Sequence, residues 1–179
     1  MQKENNNYMK ITLENLLKNI ENYKIGDKIE FSGTIYTARD QAHKRIVDLI
    51  QKGSQMPFNL NNSAIYYCGP CPLRPNGAIG SCGPTTSSRM DRYTPEMLTQ
   101  GVKILIGKGN RSKDVADSIK KNKAVYLLAT GGVGALLAQK VKKTKLVAFE
   151  DLGPEAVYEL IVEDFQTQQV LFFLLFVPI

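Results

Sequence analysis

A chain of 179 residues is long enough for one domain with a full hydrophobic core and too short for two ordinary ones. Hydrophobic residues make up 43% and charged residues 22%, which excludes disorder and a membrane bundle as the default and indicates a soluble, globular protein. Lys and Arg outnumber Asp and Glu by 23 to 17, a net charge of +6, with much of the excess between positions 103 and 145; this favours an anionic partner or substrate.

Nucleic acid is not the expected anion, because the lysines are spread over several predicted elements without an interleaved aromatic platform or a reader motif. Three cysteines, Cys68, Cys71 and Cys82, combined with no apolar signal segment at the amino end, give an expectation of reduced thiols in the cytoplasm.

In chain order, residues 1–8 are polar, rich in Asn and read as a frayed terminus. Apolar residues at helical spacing predict a helix over 12–20. Ile29, Phe31, Gly33 and Ile35 then alternate with polar neighbours, the period of a strand with one covered face. Asp40 is a good N-cap, and Ala42, Ile46, Leu49 and Ile50 form one apolar stripe before Gly53 stops the helix. Residues 63–67 read as a short buried strand, followed over 68–93 by a long loop rich in Gly and Pro whose Cys, Thr and Arg do not suit a linker.

From Thr94, an N-cap followed by Pro95, helix and strand alternate. Strands are predicted at 102–106, 124–129 and 145–149, and helices at 112–122, 133–141 and 154–160. This is α/β order and implies a parallel core sheet. Ligands then collect beyond the carboxyl ends of the strands, which deliver Arg39, Gly107 to Gly109, Thr130 to Gly132 and Glu150 to Gly153 to one rim.

Several segments could carry chemistry. Arg39 stands at a strand-to-helix junction, where it could clamp a carboxylate or merely pair with a nearby acid. His43, the single histidine, reads as structural. Thr85, Thr86, Ser87 and Ser88 precede Arg89, a set that suits a small polyoxygenated anion and equally an ordinary capped turn. Lys108 sits between two glycines, but the following Asn110 departs from a Walker A loop. Thr130, Gly131, Gly132, Val133 and Gly134 form half of a dinucleotide fingerprint, weak support for NAD. The three cysteines could grip a metal, although a closed zinc site has no fourth ligand beyond His43.

Six blocks in order, from about position 26 to 165, resemble the β subunit of class I (iron–sulfur) fumarate hydratases and L(+)-tartrate dehydratases. They are Tyr36 to Asp40 with His43 to Arg45, Tyr66 to Pro70, Gly83 to Thr86 with Arg89 to Asp91, Ile106 to Gly109, Ala129 to Gly132, and Phe149 to Gly153 with Glu155. The resemblance implies a three-layer β/β/α swivelling domain over 26–165 with a largely parallel core sheet, preceded by an extension and helix over 1–25. It implies a hydro-lyase reaction on fumarate and malate or on tartrate and oxaloacetate. The catalytic 4Fe–4S cluster is then held by cysteines of a partner α subunit, which argues against Cys68, Cys71 and Cys82 as ligands.

By the same resemblance Arg39, Arg89 and Lys108 bind substrate carboxylates together with Thr86 and Gly131, and Thr85 takes part in proton transfer. A heterodimer or a dimer of heterodimers is implied. The alternative is an anion-binding or regulatory domain that keeps the fold without catalysis. After Phe165 the chain departs from the family pattern: residues 166–179 end in ten almost wholly apolar residues, too few for the roughly 20 of a membrane-spanning helix. They are expected to form either a buried terminal strand or an exposed, artefactual tail.

Overall fold

Alternate residues of three short central strands are apolar on both faces, so each strand must be covered twice. The computed structural model describes residues 8–71 and 79–171, and in it those strands are β3 (Ala64–Tyr66), β4 (Ile104–Gly107) and β5 (Val125–Leu128). They run parallel to one another and to β1 (Met9–Thr12) and β2 (Lys28–Thr37). Two antiparallel strands, β6 (Val141–Ala148) and the long β7 (Val157–Leu171), complete seven strands in one sheet. β7 pairs with β2 on one side and reaches β5 on the other, so the circuit β2, β3, β4, β5, β7 closes on itself.

Three layers result. Ile65, Leu105 and Tyr126 point outward beneath α2 (Asp40–Gln51), α3 (Thr94–Thr99) and α4 (Lys113–Lys121), where they meet Ile46, Met97 and Ile119. Their neighbours Tyr66, Ile106 and Leu127 point inward, against Phe31 of β2 and Phe165 of β7. α1 (Leu13–Lys18) adds Leu16 to this inner core, and α5 (Gly134–Gln139) adds Leu137. The expected α/β class and largely parallel core sheet are therefore present.

The alternation read at 29–35 is β2 itself, with a register shift between Phe31 and Gly33. Gly33 has φ +151°, and a Cβ there would lie 3.0 Å from Leu13; glycine lets α1 pack directly on the strand. Ser112 caps α4 by accepting from the Val115 amide at 3.4 Å. Arg39, rather than Asp40, occupies the N-cap of α2 and has no side-chain cap bond there.

The helix expected over 154–160 is absent. A 3-10 segment covers Glu150–Glu155, and β7 begins at Val157. Val157 and Leu160 mimic helical spacing, but from Leu160 the buried residues Leu160, Val162, Phe165 and Thr167 follow strand alternation broken once, at Asp164 with φ +51°. Pairing with both β2 and β6 overrides the local helical pattern. β7 continues through Gln166 to Leu171, while residues 172–179 lie outside the described residues.

Candidate functional site

The carboxyl ends of β2 to β5 form one rim, stitched by backbone hydrogen bonds. Ala38 donates to Tyr66, Tyr67 to Ile106, and Ala129 to Gly107. The segment after Gly83 is laid across these ends: the Thr85 amide donates to the Tyr67 carbonyl at 2.6 Å, the Lys108 amide to Thr85 at 3.3 Å, and the Ser87 amide to Lys108 at 2.9 Å. Thr86 and Lys108 thus form a parallel bridge. Gly107 must be glycine, because a Cβ there would lie 2.1 Å from Ser87 Oγ and 2.7 Å from the Tyr67 ring.

Arg39 and Arg89, 50 positions apart, meet at one carboxylate. Arg89 Nε donates to Asp40 Oδ1 at 3.0 Å, and its Nη2 lies 3.0 Å from Oδ2. Arg39 Nη2 approaches the same Oδ2 at 3.8 Å and Glu155 Oε1 at 3.5 Å. Glu155 is held in turn by the Gln41 amide at 3.0 Å, and Arg45 grips Asp151 with two bonds, so α2 and the 150–155 segment are one unit. Arg39 lies flat on Gly69, where a Cβ would come within 2.9 Å of its Cδ and Nη1. Its Nε and the Asp40 Oδ2 are both buried without a hydrogen-bond partner among the described residues, a polar pair with unmet capacity beside the rim.

Lys108 passes over Gly131, whose hypothetical Cβ would sit 3.6 Å from Lys108 Cδ, an ordinary contact. Among the described residues Lys108 has no ion pair. Thr86, Arg89 and Gly131 are exposed and Thr85 is half-buried, so the rim opens outward. The sequence-predicted residues fall into two linked groups: Arg39 with Arg89 through Asp40, and Thr85 and Thr86 with Lys108 and Gly131 through backbone bonds and packing.

Beneath them lies a buried cation that the sequence reading passed over. Arg111 has a fully buried side chain; it donates to Asp91 at 2.8 Å, Tyr67 Oη at 3.0 Å and Thr94 Oγ1 at 2.7 Å, between the Tyr67 and Tyr126 rings. Tyr126 Oη donates to the Gly109 carbonyl, and Ser87 Oγ lies 2.8 Å from that hydroxyl. Burial pushes the Tyr126 hydroxyl up to about 12, so it stays a donor at neutral pH. This network ties the Lys108 loop to the Ser87 turn. The only hint in the sequence is an arginine just before the Ser112 cap.

His43 is buried edge-on to Tyr67, and its Nδ1 lies 2.9 Å from the Arg39 carbonyl. A carbonyl only accepts, so Nδ1 carries the proton. Burial lowers its pKa to about 4, which keeps the ring neutral, in line with a structural role.

Cys68 and Cys82 are buried with their sulfurs 3.5 Å apart, while Cys71 is exposed. Among the described residues no three Cys, His, Asp or Glu side chains gather as a metal-ligand set. The Thr130 to Gly134 turn is also committed elsewhere: a Cβ on Gly134 would fall 2.5 Å from Ser81 Oγ and 3.0 Å from Gly83 N. The close approach that a fingerprint glycine gives a pyrophosphate is used here by the protein's own loop.

The model of the family described as Fumarase C-terminus matches residues 1–171. The chain belongs to the fumarase C-terminus family. This family member is 40% identical over 153 residues to the putative L(+)-tartrate dehydratase subunit beta of Methanocaldococcus jannaschii, covering 83% of this chain and 78% of that protein. It is 33% identical to the L(+)-tartrate dehydratase subunit beta of Escherichia coli K12, covering 83% and 74%. Fumarate hydratase 2 of Leishmania major is 38% identical over 159 residues, or 88% of this chain and 28% of that protein. The fumarase C-terminus chain thus spans little more than a quarter of such fumarate hydratases. No helix among its described residues is long and apolar enough to cross a membrane.

Proposed function

We propose that this chain is the β subunit of a hydro-lyase that reversibly hydrates or dehydrates a small dicarboxylic acid, fumarate and malate or tartrate and oxaloacetate. The observation that carries the reading is the shared Asp40 carboxylate, which brings Arg39 and Arg89 together on the rim that also holds Lys108 and Thr85. Three cations on one open rim suit two carboxylates, and fixing their spacing in advance lowers the entropic cost of orienting a diacid. Asp40 takes the Nε side of Arg89, which leaves the outer edge of that guanidinium for a ligand.

In this reading Arg39, Arg89 and Lys108 neutralise the carboxylates, Thr86 and Gly131 line the bound acid, and Thr85 passes a proton. An isolated hydroxyl is a poor proton acceptor at neutral pH, so the role of Thr85 depends on the cations beside it. The 4Fe–4S cluster, supplying an open Lewis-acidic iron, belongs to a partner α subunit in the cytoplasm, and the assembly is a heterodimer or a dimer of heterodimers. Support comes from the relatives named as β subunits, which the chain covers over most of their length.

The test is to reconstitute the chain anaerobically with its cluster-bearing partner and assay a panel of hydroxy-diacids. Turnover is expected from the pair and from neither chain alone. Arg39→Ala, Arg89→Ala and Lys108→Ala are each expected to raise KM at least about tenfold, and Thr85→Ala to lower kcat about a hundredfold with KM little changed. One specific observation favours a second reading: Arg39 already pairs with Asp40 and Glu155, and Arg89 with Asp40, so both guanidiniums are held without any reacting group. A domain that binds diacids without turnover, in any combination of subunits, would establish that non-catalytic alternative.

A further inference from the structure

Two thiols in van der Waals contact inside a protein are a chemical pair. Cys68 follows β3, and Cys82 opens the loop that carries Thr85; both are fully buried, and their sulfurs are 3.5 Å apart. The Cys82 backbone is pinned on both sides. The Tyr66 hydroxyl donates to the Cys82 carbonyl at 2.5 Å, and the Cys82 amide to the Gly134 carbonyl at 3.0 Å. The third thiol is close by: the exposed Cys71 donates its amide to the carbonyl of Ser81, the residue before Cys82, at 2.9 Å.

Among the described residues no further metal-ligating side chain completes a site with this pair. A disulfide needs its sulfurs about 2 Å apart, so bonding requires a closure of roughly 1.5 Å between segments already in contact. We propose that Cys68 and Cys82 are a disulfide-forming modification site, oxidised by a peroxide that enters through Cys71. This inference is independent of the catalytic reading.

The steps balance. Hydrogen peroxide converts the Cys71 thiol to a sulfenic acid and water. The Cys68 thiol attacks that sulfur, expelling a second water and giving a Cys68–Cys71 disulfide. Cys82 then attacks the Cys68 sulfur and gives up its proton, which passes to the departing Cys71 thiolate. Two thiols and one peroxide become one disulfide and two waters. Cys68 and Cys82 are fully buried while Cys71 is exposed, so a peroxide arriving from solvent meets the Cys71 thiol first. The product staples the end of β3 to the loop bearing Thr85, closing a short loop of the unfolded chain.

The full chain is treated with hydrogen peroxide, quenched with an alkylating reagent and mapped by mass spectrometry. One alkylated thiol, a Cys68–Cys82 linked peptide and full recovery with dithiothreitol are expected, with Tm raised by roughly 5 °C. Cys71→Ser is expected to slow linkage at least about tenfold, and Cys82→Ala to stop at the Cys68–Cys71 link. Three thiols still alkylated, or a wild-type chain linked solely through Cys71, would overturn the site. Equal rates for wild type and Cys71→Ser would overturn the entry route. The wild-type map decides the pairing even if a variant fails to fold.

Discussion

Asp40 shows how one side chain gives meaning to two others. In sequence it is an acid beside an arginine; in the fold its two oxygens face Arg39 and Arg89. If it is a strut, Asp40→Asn frees an exposed arginine to sample its rotamers, and affinity falls because that freedom must be lost on binding. In the proposed two-subunit enzyme, KM is expected to rise about tenfold with kcat nearly unchanged, while Asp40→Glu restores part of the loss. A fall in KM would instead identify Asp40 as a competitor for the arginines. His43 makes a separate prediction at this scale. Its pKa is about 4 in the fold against an ordinary 6.5, so below pH 6.5 the unfolded chain binds a proton that the folded chain refuses. The neutral-ring contribution is present above pH 6.5 and is lost as pH falls toward 4, by about 3 kcal/mol at most. As the chain has one histidine, its ring proton resonance should titrate near pH 4, and urea midpoints should fall over that window.

Among the elements, β7 decides most. Its pairing with β2 covers residues 28–36, and its far end pairs Gln168, Gln169 and Leu171 with Leu128, Leu127 and Tyr126. That last set of bonds closes the sheet. A chain cut after Phe165 keeps most pairing with β2 and β6 but reopens the edge of β5, leaving backbone donors and acceptors without partners. The expected loss is at least about 3 kcal/mol in chemical denaturation, with weakened amide protection in β5 by hydrogen exchange. Retained stability would show that closure contributes little. The same element exposes the limit of reading periods. Val157 and Leu160 fit a helix three residues apart, and only partners from β6, 9 and 16 positions away, and for Leu160 from β2, 125 positions away, make them a strand. The parallel strands β3, β4 and β5 were legible because burial on both faces leaves continuous apolar runs.

For the molecule as a whole, the sequence by itself determined the α/β class, the order of most elements, the rim at the strand ends and, through six ordered blocks, the family. Those features depend on local periodicity and on short motifs, which a chain carries along its own length. Only the tertiary structure decided the closed sheet, the strand identity of residues 157–160, the union of Arg39 and Arg89 on Asp40, the Arg111 floor and the Cys68–Cys82 contact. Each of these joins residues 9 to more than 100 positions apart, and nothing in local propensity or spacing fixes such a distance. Pairing, burial and charge compensation across the folded core fix it instead.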